Sequence, residues 1–115
     1  MTASALALLF SAIILVESGG NVNAVGDNGN AVGPAQIWKI VIDDVNRIAH
    51  TSYTYTDRKS AQKSFEVFTI YTGYYIKKKA LTDTAENRSR IWNGGPNGAT
   101  SSKTLPYWRK VKSKL

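Results

Sequence analysis

Polar positions are sparse and evenly spaced at the start of the chain. Residues 3–18 are apolar apart from Ser4, Ser11, Ser18 and Glu17. The serines recur every seven residues, which places them on one thin stripe of a helix and predicts a helix over 3–18 with the rest of its surface apolar. A second helix is expected over 35–49, where Ile37, Val41, Val45 and Ile48 fall at helical spacing. A third runs over 58–79 after a cap at Asp57, with Ala61, Phe65, Phe68, Thr72 and Ile76 on one side. A fourth covers 83–93 and is stopped by Gly94-Gly95-Pro96, and a short one covers 107–112. Between the first two helices, residues 19–34 are dense in Gly and Asn. That stretch reads as a turn-rich loop, with room for a short hairpin. No strand pattern appears elsewhere, and no repeat or linker divides the chain. The pattern therefore predicts one domain over 1–115, mainly α, a compact bundle of about five helices around a central buried helix.

Composition narrows the class. The chain has 115 residues, 43% hydrophobic and 20% charged, as in an ordinary globular domain with a modest core. Cysteine is absent, which removes disulfide and thiolate chemistry, and His50 is the only imidazole, so a zinc site is not expected. No cofactor is implied. Lys and Arg outnumber Asp and Glu by 15 to 8, a formal charge of +7. Such a balance favours an anionic partner. No GXXG clamp and no aromatic strand signature accompany the charge, so an anionic cell wall is a better candidate than nucleic acid. Residues 6–16 are nearly all apolar but have no preceding Lys or Arg, and the run is shorter than a membrane span requires. It is read as a core helix rather than a signal segment.

Glu17 is the informative acid. On a wheel of about 100° per residue it points between Leu6, Phe10 and Ile13, away from the serine stripe. Partial burial there would raise its pKa, as a general acid near neutral pH requires. A solvated Glu at a helix end is the plainer alternative.

Three ordered segments add to this. They are Glu17-Ser18-Gly19-Gly20, then Gly26-Asp27-Asn28-Gly29-Asn30, then Gly33-Pro34-Ala35-Gln36-Ile37. Together they resemble the active-site region of goose-type lysozymes and lytic transglycosylases, where a Glu-Ser pair ends a buried helix and a Gly-x-x-Gln segment opens the next. Ile91-Trp92-Asn93-Gly94-Gly95-Pro96 resembles that superfamily's Ala-Tyr-Asn-x-Gly-Pro turn, and Tyr107-Trp108-Arg109-Lys110-Val111 resembles its closing segment. Thr69 to Ile76 is a weaker match to one of its helices.

The resemblance implies a lysozyme-like α+β fold and a single catalytic domain that cuts the β-1,4 bond between N-acetylmuramic acid and N-acetylglucosamine. It implies Glu17 as the acid, with Ser18, Gln36, Trp92 and Asn93 binding substrate. Trp92 stands where the superfamily has a Tyr close to the catalytic Glu. An indole only donates hydrogen bonds, so it would stack on a sugar or serve as a core aromatic. Asp27 decides the reaction. A hydrolase uses a second carboxylate to position water, whereas a transglycosylase closes a 1,6-anhydro ring without one. Asp27 favours hydrolysis, although Trp38 replaces a second Asp of the goose-type pattern and Asp-Asn-Gly is also common turn chemistry. Glu66, on the third helix, is read as a solvated acid rather than a cleft residue. A non-catalytic peptidoglycan-binding module and a basic nucleic-acid binder are the readings from other classes. A monomer acting at the bacterial wall is expected. A bacteriophage lysis or virion protein, or a domain of a larger bacterial protein, fits equally as its source.

Overall fold

A computed structural model describes the whole chain, Met1–Leu115. Helix α1 spans Ala3–Ser18. The Thr2 hydroxyl accepts from the Ala5 N–H at its start (3.1 Å), and Gly19, at φ +66°, ends it in the left-handed conformation that glycine adopts without penalty. Leu9, Phe10, Ala12 and Ile13 are buried on one side. Leu8 and Leu15 are exposed, because they share the face of the serine stripe.

The loop after α1 contains the hairpin. Strand β1, Val25–Gly26, pairs antiparallel with β2, Ala31–Val32, and Val32 also bridges to Ile37. That bridge corrects the expected start of the second helix. Gln36 sits at φ +53° in a turn, so helix α2 begins four residues later than the pattern predicts and spans Lys39–Ala49.

The third helix is also shorter than predicted at its front. Tyr55–Lys59 forms a 3₁₀ turn, and Asp57 is the far half of its capping box with Thr54. Helix α3 then spans Ala61–Lys78 and is capped by Ser60, whose hydroxyl accepts from the Lys63 N–H at 3.1 Å. Helix α4 spans Ala85–Gly94 with Thr84 as cap, and α5 spans Leu105–Lys112 with Pro106 in its first turn. Asp83, read as the first residue of α4, instead pairs with Arg88 and the Met1 amino group.

Helix α3 is the central element and packs against α1, α2 and α4. Its Val67, Phe68, Tyr71, Thr72, Tyr75 and Ile76 are buried against Ile13, Val45, Ile91 and Val111. The arrangement is five helices with a two-stranded sheet, an α+β fold of the lysozyme-like kind. No helix is long and apolar enough to cross a membrane.

Candidate functional site

Glu17 lies in the last turn of α1, one residue before the helix ends. Its neighbours on the wheel, Phe10 and Ile13, are buried, and Glu17 itself is half-buried at the mouth of a cleft. The cleft has a volume of about 300 Å³ and is lined by Glu17, Asp27, Gln36, Trp38, Trp92 and Asn93, with Ile37 and Val41 at its base. Five of the residues singled out in the sequence therefore meet in one place.

Burial pushes the Glu17 carboxyl up to about 7. A hydrogen bond from Tyr107 opposes the rise, and the nearby negative charge of Asp27 adds to it. The Tyr107 hydroxyl donates to Glu17 Oε2 at 3.1 Å. Its own pKa is pushed up by burial and by that carboxylate, so the phenol remains a donor. Tyr107 comes from α5, 90 residues further along the chain. The phenol partner expected at Trp92 is thus supplied from a different element. The one clue in the sequence was the position of Tyr107 in the closing segment.

The loop that carries Asp27 is held by backbone-directed side chains. The Ser18 hydroxyl lies 2.7 Å from the Pro34 carbonyl and accepts from the Gly20 N–H. Ser18 is not among the cleft-lining residues, and its contacts tie the end of α1 to the start of the Gly-x-x-Gln turn. The Gln36 amide donates to the carbonyls of Ala24 (3.2 Å) and Gly33 (3.0 Å). Its Oε1 lies 2.5 Å from where a Cβ on residue 26 would sit, which accounts for glycine there. Gln36 therefore lines the cleft and clamps the hairpin at once. Asp27 (φ +49°), Asn28 (φ +57°) and Gln36 (φ +53°) all occupy the left-handed region. Non-glycine residues held this way cluster at functional sites, where surrounding contacts over-determine the backbone.

Asp27 is exposed at the hairpin turn and lines the cleft together with Glu17. The Trp38 indole donates to Asp27 Oδ2 at 3.4 Å. In the sequence, Trp38 reads only as the loss of a second acid. In the fold it orients the acid that is present. Trp92 is a core aromatic that also lines the cleft. One edge packs against Phe68 and Tyr71, with ring centroids 5.3 and 5.9 Å away, while the residue also forms a cleft wall. Glu66 stays outside the cleft. It accepts from the Tyr53 hydroxyl (2.7 Å) and the Gln62 amide, and those bonds hold its pKa below the usual range.

A wider groove of about 580 Å³ shares Val41 with the cleft and continues between α2, α3 and the turn at Gly95-Pro96. Tyr71, Tyr75 and Asp44 line it. The site is thus a long open trough with a half-buried acid of raised pKa and an exposed acid at one end. That pairing is the one glycosidic cleavage uses.

No family model matches the chain. A stretch of 43 residues is 44% identical to a lysozyme of Ostrea edulis, covering 37% of this chain and 31% of that protein. A stretch of 43 residues is 37% identical to lysozyme 1 of Crassostrea virginica, covering 37% of this chain and 23% of that protein. The match therefore spans less than a third of either relative. In three dimensions the chain resembles a chain in the crystal structure of Aeromonas hydrophila PliI in complex with Meretrix lusoria lysozyme. The TM-score is 0.80 at 27% identity, over 92% of this chain and 87% of that one.

Proposed function

We propose that the chain is a peptidoglycan-cleaving glycosidase of the muramidase type, cutting the β-1,4 bond between N-acetylmuramic acid and N-acetylglucosamine. The observation that carries this reading is the Glu17 carboxyl, half-buried, bonded to Tyr107, and raised to about 7 in a cleft that also holds Asp27. The likeness to lysozymes supports it.

In this reading Glu17 gives its proton to the glycosidic oxygen as the bond to the anomeric carbon breaks. Positive charge develops on that carbon, and the Asp27 carboxylate stabilises it and positions water for attack. Water adds its oxygen to the anomeric carbon, giving a reducing end, and its released proton restores the spent acid. Trp38 orients Asp27, Trp92 and Asn93 contact the sugars, and the trough past Val41 accommodates further units of the strand. The charge of +7 draws the enzyme to an anionic wall. The goose-type likeness of the ordered segments and a phage source belong to the same proposal.

Mass spectrometry of muropeptides released from purified walls tests the reaction type. Reducing ends are expected, and Asp27→Asn should lower their yield by about 10²-fold or more. Predominantly 1,6-anhydro products, unchanged by Asp27→Asn, would replace hydrolysis with transglycosylation.

A further inference from the structure

Trp38 lines a second hollow beside the cleft, of about 160 Å³, together with Gly29, Asn30, Lys39, Ile40 and Arg58. Arg58 is only 7% exposed, yet no carboxylate lies within ion-pair distance of it. Arg88, equally buried, is paired with Asp83, as a buried guanidinium ordinarily is. Arg58 has only carbonyls. Its Nε donates to Tyr55 O at 2.8 Å and its Nη1 to Ile37 O at 3.1 Å. Nη2 finds no acceptor in the chain and is not sealed from solvent. A nearly buried cation with one unbonded guanidinium nitrogen is thus among the residues that line the hollow.

Two further features share its sign. Lys39 also lacks a carboxylate partner, and its Nζ and the Arg58 guanidinium stand 5.0 and 5.6 Å from the centre of the Tyr55 ring. Helix α2 begins at this spot without a side-chain cap, and the N–H groups of Lys39 and Ile40 have no acceptor. An uncapped helix start favours an anion. The acids on adjoining elements are engaged elsewhere. Asp27 accepts from Trp38, Asp43 from the Tyr55 hydroxyl, and Asp57 from the Thr54 N–H.

We infer that this hollow binds a carboxylate of the muramyl unit, held by the Arg58 guanidinium, the Lys39 ammonium and the first amides of α2. This rests on the muramidase reading. A muramyl unit without its peptide stem carries a lactyl carboxylate, and a unit whose lactyl carboxyl is amide-linked to a stem carries the carboxylates of that stem instead; Trp38 places the hollow next to the cleft. The site would let the enzyme tell a muramyl strand from a neutral polymer of N-acetylglucosamine.

Titration of the intact protein by NMR tests this with four probes: N-acetylmuramic acid, its methyl ester, N-acetylmuramyl-L-alanine and inorganic phosphate. The acid should shift the amides of Gly29, Asn30, Lys39 and Ile40 and the Arg58 Nε–H, and the ester should leave them unmoved. Tighter binding of the alanyl compound assigns the site to the stem carboxylate, and tighter binding of the free acid assigns it to the lactyl one. Lys39→Gln should weaken binding of the preferred acid by about three- to tenfold. Arg58→Lys tests the guanidinium fork where it folds, and the exposed Lys39 carries the test where it does not. Equal response to acid and ester, shifts elsewhere only, or phosphate binding as tight as the acids would overturn the inference. Binding here without any wall cleavage would overturn the catalytic reading and leave a carboxylate site. Cleavage without carboxylate preference would overturn this inference alone.

Discussion

At the scale of single residues, the proposed chemistry depends on how one carboxyl is held. Burial, with a smaller push from Asp27, raises Glu17 and the Tyr107 hydrogen bond lowers it, so the value of about 7 is a balance between them. Tyr107→Phe keeps the ring in the core and removes only the donor. The ionised form of Glu17 then loses a charge-assisted bond, and its pKa rises further. The basic limb of the pH–activity profile should move to higher pH by about one unit, read from initial rates of wall clearing. A limb that stays in place or moves down would show that Tyr107 does not bond the working carboxylate. Glu17 was legible in the sequence because its helix is regular and its wheel neighbours are apolar. Tyr107 was not, since nothing local brings together residues 90 positions apart. The contact that Trp38 makes was not legible for a related reason. The indole N–H reaches Asp27, and only the fold reveals that contact.

At the scale of elements, the hairpin loop is where the pattern was least informative and the structure most constrained. Helices α1 and α5 are close to expectation because apolar spacing and caps determine them locally. The start of α2 is not, because Gln36 is drawn into a turn by its own bonds to Ala24 and Gly33 and by the Val32–Ile37 bridge. Asp57 was misread as a helix cap because a capping box looks the same in front of a 3₁₀ turn as in front of an α-helix. Gly33 shows how tightly this loop meets the Tyr55–Lys59 turn. It sits at φ +86°, and a Cβ would lie 1.7 Å from the Arg58 carbonyl oxygen. Both backbone strain and overlap with main chain oppose any side chain. Gly33→Ala should destabilise the fold by about 3 kcal/mol in chemical denaturation. A loss below about 1 kcal/mol would mean that the loop and turn separate easily.

For the molecule as a whole, an acid kept protonated by burial has a cost in stability. The folded state binds the Glu17 proton more tightly than the unfolded chain does, since its pKa is about 7 against an ordinary 4.5. Stability from this group is therefore full below pH 4.5 and is lost as pH rises through about 7. The loss is on the order of 3 kcal/mol. Denaturant midpoints should fall between pH 5 and pH 8 in the wild type, and Glu17→Gln should flatten that slope. An equal slope in both proteins would place the titration elsewhere. The bundle itself was legible, because five apolar periodicities leave few other ways to bury a core of this size. The identity of the central helix was not. Helix α1 has the most apolar sequence, yet α3 takes the centre because it buries seven residues where α1 buries four.

The most direct test of the central claim is the rate at which reducing ends appear when purified peptidoglycan is treated with the wild type and with folded Glu17→Gln. The wild type should release them steadily near neutral pH, and the variant should be slower by about 10³-fold. A Glu17→Gln protein that cleaves at the wild-type rate would remove Glu17 from the role of acid.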